Sequence, residues 1–156
     1  MYHLVSAWSV RAPIEVVWEA VYHSERWPEW WRGLESVVEL ERGDDEGIGN
    51  RRRYSWRGRL PYRLVFDMTA TRIEPPRRLE GRARGDVDGL GCWRLRGEGA
   101  WTVVRYDWHV WLNKPWMRRL SPWAWPLFRW NHDVVMRWGA EGMAAHLGAR
   151  MAHRPA

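Results

Sequence analysis

Residues 12–31, APIEVVWEAVYHSERWPEWW, predict two short helices in immediate succession. Pro13 suits the first position of a helix, because its missing N–H has no helical partner to lose there. The apolar residues that follow recur at helical spacing and form one stripe: Ile14, Val17, Trp18 and Val21. Ser24 is a suitable cap for a second, short helix with three tryptophans on one side. This pair of helices is the first indication of how the chain is organised.

The segments that flank the helix pair alternate in polarity as strands do. Residues 2–10 form the predicted first strand. Six more strands are predicted downstream, over 36–41, 50–58, 61–73, 78–86, 90–97 and 101–112. Turn signals separate them, among them GDDEG at 43–47 and Val87-Asp88-Gly89. Hairpin spacing throughout implies an antiparallel sheet that is apolar on one face and charged on the other.

The C-terminal third of the chain predicts a long helix that begins late. Segment 113–130 holds three prolines and is not expected to form one regular helix. Asn131 is then a good N-cap, and Asp133 suits the positive end of the helix dipole, so the helix should run from there to about Arg150. Residues 151–156 are expected to form a short C-terminal tail.

The predicted order of elements is one strand, two short helices, six strands and one long helix. This is an α+β arrangement of the helix-grip type, in which a curved antiparallel sheet of about seven strands wraps around the C-terminal helix. One domain is expected over residues 1–150, since the 156-residue chain shows no linker. Gly139 and Gly142 each cost about 1 kcal/mol relative to alanine inside a helix. That cost is tolerable where the helix approaches another backbone or leaves space for a ligand.

The composition favours a globular protein of a reducing compartment. Apolar residues make up 46% of the chain, which is too rich for disorder. Cys92 is the only cysteine, so no intrachain disulfide forms, and no secretory signal or run of 18 apolar residues is evident. A cytoplasmic location is therefore expected.

The formal net charge of +6 comes almost entirely from arginine. Arginines of the predicted strands could together form a cationic outer face of the sheet: Arg51, Arg52, Arg53, Arg82, Arg84, Arg94 and Arg96. Acidic residues lie among the same outward positions, namely Asp67, Glu80, Asp86 and Asp107. Their presence, and the spread of arginine along the chain, argue against a nucleic-acid partner and favour a compositional origin of the charge.

Three sequence patterns resemble one known superfamily. Ala12-Pro13-Ile14-Glu15 before Trp18, followed by Trp27-Pro28-Glu29-Trp30-Trp31, is similar to the opening of the SRPBCC (START-like, helix-grip) superfamily, particularly its polyketide cyclase/dehydrase-like branch. The spacing of Gly99, Thr102, Tyr106 and Trp108 resembles its final strand, and residues 128–133 resemble the approach to its last helix. The resemblance covers roughly residues 1–148. It is more specific for fold than for function, because members bind lipids, hormones and pigments or catalyse cyclisations.

The resemblance implies a cavity between the concave face of the sheet and the long helix, occupied by a hydrophobic small molecule. The side chains expected to bind it are Tyr54, Trp56, Phe66, Met68, Trp93, Tyr106, Trp108, Met136 and Met143. Small residues at Gly81, Ala83 and Gly85 would leave volume. A core filled by its own aromatic side chains is the alternative. No cofactor is expected.

Candidate catalytic groups are few: His132, Asn131, Tyr54 and Tyr106. His132 could act as a general acid or base, while Asn131 and the tyrosines could bond a ligand carbonyl or enolate. Each has a structural alternative, since Asn131 could cap the helix and the tyrosines could be core residues. The six histidines and one cysteine show no metal-ligand spacing, so no metal site is predicted.

The function predicted from these features is binding of an apolar small molecule, either a lipid or a polyketide-like metabolite. A polyketide cyclase or dehydrase acting in the same cavity is one alternative. A membrane-surface lipid carrier is another, because tryptophans in 114–130 interleave with Lys114, Arg118, Arg119 and Arg129. The structural alternative for 114–130 is a lid packed over the cavity. The oligomeric state is open.

Overall fold

The computed structural model describes residues 1–155, which form one curved antiparallel sheet, two α-helices and one 3₁₀ helix. The helices are α1 (Ile14–Tyr22), the 3₁₀ helix (Ser24–Glu29) and α2 (Pro115–Leu147). The strands are β1 (Tyr2–Val10), β2 (Leu34–Glu41), β3 (Arg51–Trp56), β4 (Leu64–Glu74), β5 (Arg78–Gly85), β6 (Val87–Glu98), β7 (Trp101–Leu112) and β8 (Met151–His153). Their order across the sheet is β2-β3-β4-β5-β6-β7-β1-β8. The α+β helix-grip fold predicted from the sequence is thereby confirmed.

The sheet has eight strands, not about seven, because the predicted C-terminal tail joins it. Met151 pairs with Val10 and His153 with Trp8, so β8 covers the edge of β1 that β7 leaves open. The backbone N–H groups of Arg11 and Arg154 donate to carbonyls on the opposing segment at 2.8 and 3.1 Å. An uncovered edge strand would expose unpaired backbone groups, which this pairing avoids.

One predicted turn is misplaced. Val87-Asp88-Gly89 lies inside β6, whereas the chain reverses at Gly85-Asp86. Gly85 has a φ of 147°, a conformation that side chains rarely adopt, and a Cβ there would lie 2.8 Å from the Phe66 backbone. The Asp86 carboxylate stabilises the turn by accepting a 2.8 Å hydrogen bond from the Val65 N–H.

The convex face of the sheet pairs arginines with carboxylates. Asp67 accepts hydrogen bonds from Arg53 at 2.8 Å and Arg51 at 3.0 Å, and Asp107 accepts one from Arg105 at 2.9 Å. The Arg53 bond holds the pKa of Asp67 below its usual value, and the Arg105 bond does the same for the pKa of Asp107. Much of the arginine charge on this face is therefore neutralised within the protein.

The long helix begins sixteen residues before the predicted N-cap, and Pro122 and Pro126 lie inside it. The two prolines lie four residues apart on the exposed face of the helix. Pro122 cannot donate to the carbonyl of Arg118, and the Ser121 hydroxyl donates to that carbonyl instead at 3.2 Å. The prediction that 113–130 is not helical was wrong, as was the capping role of Asn131. The helix ends at Leu147, with Gly148 at a φ of 61° as its cap.

The two glycines of α2 lie where the segment after the 3₁₀ helix packs against it, and at Gly142 the close neighbour is a backbone, as one sequence-based explanation predicted. A Cβ at Gly139 would be 2.4 Å from the indole ring of Trp31, and a Cβ at Gly142 would be 1.9 Å from the Trp30 carbonyl oxygen. The Trp31 indole also donates to the Val135 carbonyl at 2.8 Å. The segment after the 3₁₀ helix thus packs directly on α2 and fixes its distance from the sheet.

Candidate functional site: a cavity between sheet and helix

A cavity of about 470 Å³ lies between the concave face of the sheet and α2. Small-molecule pockets occupy roughly 300–1,000 Å³, so this volume suits a ligand of several rings or a medium acyl chain. Eight of the nine predicted binding residues line it: Tyr54, Trp56, Phe66, Met68, Trp93, Tyr106, Trp108 and Met136. Met143 does not line the cavity, because its side chain is completely buried in the core. It follows Gly142, where Trp30 packs against α2.

The cavity wall is a continuous layer of aromatic rings. Ring centroids are 4.4 Å apart for Trp93 and Tyr106, 5.8 Å for Phe66 and Trp108, and 6.0 Å for Tyr54 and Phe66. These separations match the range favoured by aromatic pairs, so the rings support one another around the space. The wall therefore presents flat apolar surface to a ligand.

The glycines of the wall make room for side chains. Gly81 and Gly91 are register partners on β5 and β6, and both line the cavity. A Cβ at Gly91 would lie 2.5 Å from the Tyr106 hydroxyl, and one at Gly81 would lie 3.0 Å from the sulfur of Met68. Of the three small residues expected to leave volume, only Gly81 lines the cavity; Ala83 is buried beside it and Gly85 forms the turn.

One end of the cavity is polar and centres on Arg52. Its Nη1 donates to Ser24 Oγ at 2.7 Å and lies 3.0 Å from Glu25 Oε2. Its Nε is buried without a hydrogen-bond partner among the described residues. Ser24 Oγ also lies 2.6 Å from the Tyr54 hydroxyl, and burial raises the pKa of Tyr54, so that hydroxyl stays neutral. A cation and a neutral donor thus share one end of an apolar space.

Tyr106 is the second polar group in the wall. Burial raises the pKa of its hydroxyl well above the usual value, so the group is protonated at neutral pH. No side-chain hydrogen bond holds this hydroxyl within residues 1–155. It is therefore available as a donor to a ligand oxygen.

Asn131 and His132 lie beside the loop between β3 and β4. Asn131 Oδ1 accepts hydrogen bonds from the N–H groups of Arg59 at 2.7 Å and Leu60 at 3.1 Å, and Nδ2 donates to the Tyr62 hydroxyl at 3.0 Å. These contacts occupy Asn131, which holds the loop on α2. His132 lines the cavity, and its buried Nδ1 has no hydrogen-bond partner, the Asp133 carboxylate being 3.7 Å away.

Other kinds of site lack support in the part of the chain that the structure describes. Residues 1–155 contain no group of three or more histidine, cysteine, aspartate or glutamate side chains placed to hold a metal ion. In the same range, no helix is long and apolar enough to cross a membrane. Burial raises the pKa of the Cys92 thiol, which makes it a poor nucleophile at neutral pH.

The family described as polyketide cyclase / dehydrase and lipid transport matches residues 10–130, most of the chain. The chain belongs to this family. The resemblance seen in its helix pair and final strand is confirmed. No curated protein matches the chain.

Solved structures share the fold of this polyketide cyclase / dehydrase and lipid transport family member. A START superfamily protein from Mycobacterium smegmatis has a TM-score of 0.77 at 13% identity and covers 95% of this chain and 98% of its own. The protein TTHA0849 from Thermus thermophilus has a TM-score of 0.75 at 19% identity, with coverages of 93% and 99%. The Zhui aromatase/cyclase from Streptomyces sp. R1128 has a TM-score of 0.66 at 21% identity, with coverages of 94% and 92%. At these identities the likeness shows the fold alone.

Sequence reasoning placed Arg52, the polar centre of the site in this family member, on the wrong face of its strand. It also missed several apolar lining residues, among them Trp27, Trp31 and Phe128. Arg52 was grouped with Arg51 and Arg53 on the outer face, yet it lies two residues from Tyr54 and shares its inward face. Strict period-two alternation would have placed it correctly. Arginine side chains usually face solvent, so the sequence alone favours an outward position for Arg52. Its inward position is tolerable because Ser24 and Glu25 of the 3₁₀ helix supply acceptors for the guanidinium.

Proposed function

We propose that the cavity binds an elongated apolar molecule with one anionic or carbonyl-rich end, either a lipid or a polyketide-like metabolite. The observation that carries this proposal is Arg52, an inward-facing cation at one end of an aromatic wall. An oxygen at the polar end of a ligand would accept a charge-assisted hydrogen bond from the guanidinium. The apolar body would lie against the rings around Tyr106.

The position of Arg52 also supports an oriented ligand. Ser24 and Glu25 hold its Nη1, so the guanidinium is fixed before a ligand arrives. A second carboxylate, that of Glu39, lies 3.8 Å from Nη2. A charged donor held in place in this way binds oxygen more strongly than a mobile, solvated one. The polar end of the ligand would lie at Arg52 and its apolar end toward α2 residues such as Met117 and Phe128.

Two fluorescent probes of the same shape test this arrangement. Anilinonaphthalene sulfonate carries an anion, and phenyl-naphthylamine is the same ring system without it. We expect wild-type protein to bind both. Arg52→Gln should weaken binding of the sulfonate about tenfold, the loss of one charge-assisted hydrogen bond, and leave binding of the neutral probe unchanged. Fluorescence titration gives both dissociation constants.

Arg53→Gln is the matched control, because Arg53 is the next residue of β3 and faces outward to Asp67. It should leave the binding of both probes unchanged. Equal loss of sulfonate binding in both variants would assign the effect to net charge and contradict a specific role of Arg52. Failure of wild-type protein to bind either probe would contradict an open cavity.

A cyclase or dehydrase activity in the same cavity is a second proposal, supported by Tyr106 and His132. The neutral Tyr106 hydroxyl could donate to a carbonyl oxygen as negative charge develops there. The His132 imidazole could take the proton α to that carbonyl and return it to the departing hydroxyl, which leaves as water. Both side chains line the cavity.

Dehydration of the β-hydroxy ketone made from benzaldehyde and acetone tests the chemistry. We expect wild-type protein to accelerate formation of the enone, measured by ultraviolet absorbance. Tyr106→Phe should slow it about tenfold, the value of one hydrogen bond, while phenyl-naphthylamine binding persists. Tyr2→Phe, a tyrosine outside the cavity lining, is the control. A wild-type rate equal to that of buffer would leave binding as the function.

A further inference from the structure

The outer face of α2 carries a stripe of large apolar side chains that nothing covers. Its members are exposed and recur at spacings of four and three residues: Trp116, Leu120, Trp123, Leu127 and Trp130. Trp123 is 80% exposed. Such spacing keeps all five on one side of the helix. Monomeric proteins rarely expose a contiguous apolar surface of this kind without a partner.

One arginine, Arg119, borders this outer stripe, while Arg118 and Arg129 lie farther round the exposed surface of the helix. Between Asp107 and Asp133 the sequence holds no aspartate or glutamate. Arg118, Arg119 and Arg129 are exposed and form no ion pair within the described residues. The surface therefore combines uncovered tryptophan and leucine with uncompensated positive charge.

A lid over the cavity does not account for the outer stripe. The side chains that cover the cavity lie on another face of the same helix segment: Met117, Trp125 and Phe128. Among the outer residues, Trp116 packs edge-on against Tyr62 and Phe128 of the cavity lining. Packing over the ligand leaves the remaining outer side chains without a role: Leu120, Trp123, Leu127 and Trp130. A second copy of the chain is a poor partner, because pairing two such surfaces would bring arginines against arginines.

We propose that the outer stripe of α2 docks on a membrane surface that contains anionic phospholipid. Tryptophan and leucine would enter the boundary between headgroups and acyl chains, and Arg119 at the border of the stripe would pair with a phosphate. Each arginine near such a surface contributes about 1 kcal/mol. The helix would lie in the plane of the interface with the cavity directly beneath it. This inference does not depend on which molecule the cavity binds.

Co-sedimentation with vesicles tests the docking surface. Vesicles of equal parts phosphatidylcholine and phosphatidylglycerol should bind the protein, pure phosphatidylcholine vesicles should bind it far less, and high salt should weaken binding. Trp123→Ala should lower the partition coefficient about tenfold through lost apolar burial. Arg119→Gln should lower it about fivefold at low salt.

Controls separate a specific surface from overall charge and hydrophobicity. Trp111→Ala removes a tryptophan that is 42% exposed on β7. Arg82→Gln removes one exposed charge on β5. Both controls should bind vesicles as the wild type does. Losses equal to those of the α2 variants would overturn the proposal, as would absence of binding to the anionic vesicles. A dimer in sedimentation equilibrium that Trp123→Ala dissociates would assign the surface to self-association instead.

Discussion

Gly142→Ala is expected to destabilise the protein by about 3 kcal/mol, although alanine is the better helix former by about 1 kcal/mol. The added methyl group would lie 1.9 Å from the carbonyl oxygen of Trp30, less than any tolerated contact. A backbone atom cannot rotate away as a side chain does. Either α2 or the Trp30–Trp31 segment must move, and both pack into the core, which contains Trp27, Trp31 and Met143.

Urea denaturation followed by circular dichroism measures this loss as a lower midpoint. Gly97→Ala is the control, because a Cβ there meets nothing within 4 Å and its effect on stability should be small. An unchanged midpoint for Gly142→Ala would mean that Trp30 does not contact α2 at this position. Since Trp31 lines the cavity, the same variant should also weaken binding of phenyl-naphthylamine.

Asn131→Ala is expected to lower the free energy of unfolding by about 3 kcal/mol as well. The amide holds two backbone N–H groups and one tyrosine hydroxyl, and alanine leaves all three without that partner. Asn131 is 5% exposed, so water replaces these bonds only after the loop between β3 and β4 has moved.

Hydrogen exchange gives the Asn131 prediction a local readout. The amide protons of Arg59 and Leu60 should exchange faster in Asn131→Ala, because they lose their acceptor. Asn113→Ala is the control: Asn113 is exposed, and its side chain donates one 3.0 Å bond to the Gly85 carbonyl. That variant should change stability by about 0.5 kcal/mol or less. Unchanged exchange at Arg59 and Leu60 would contradict the anchoring role of Asn131.

Much of the fold was predictable from local pattern. The strand predicted over 101–112 is β7 with the same bounds, and the helix predicted from Ile14 is α1. The face of β3 that carries Tyr54 and Trp56 lines the cavity, as alternation indicated. These features follow from backbone geometry over a few residues, since side chains repeat every two residues in a strand and every 3.6 in a helix.

The tertiary structure alone decided the features whose partners are distant in sequence. The burial of Arg52 is tolerable because its side chain donates a hydrogen bond to Ser24, a residue 28 positions away in sequence. Asn131 accepts a hydrogen bond from the backbone of Arg59, which is 72 positions away. Pro122 and Pro126 lie within α2, whose inner face packs over the cavity. Residues 151–153 form a strand because β1 has an open edge with which they pair. Sequence periodicity specifies which residues share a face. Which buried polar groups find acceptors depends on contacts that form only when the sheet closes around the helix.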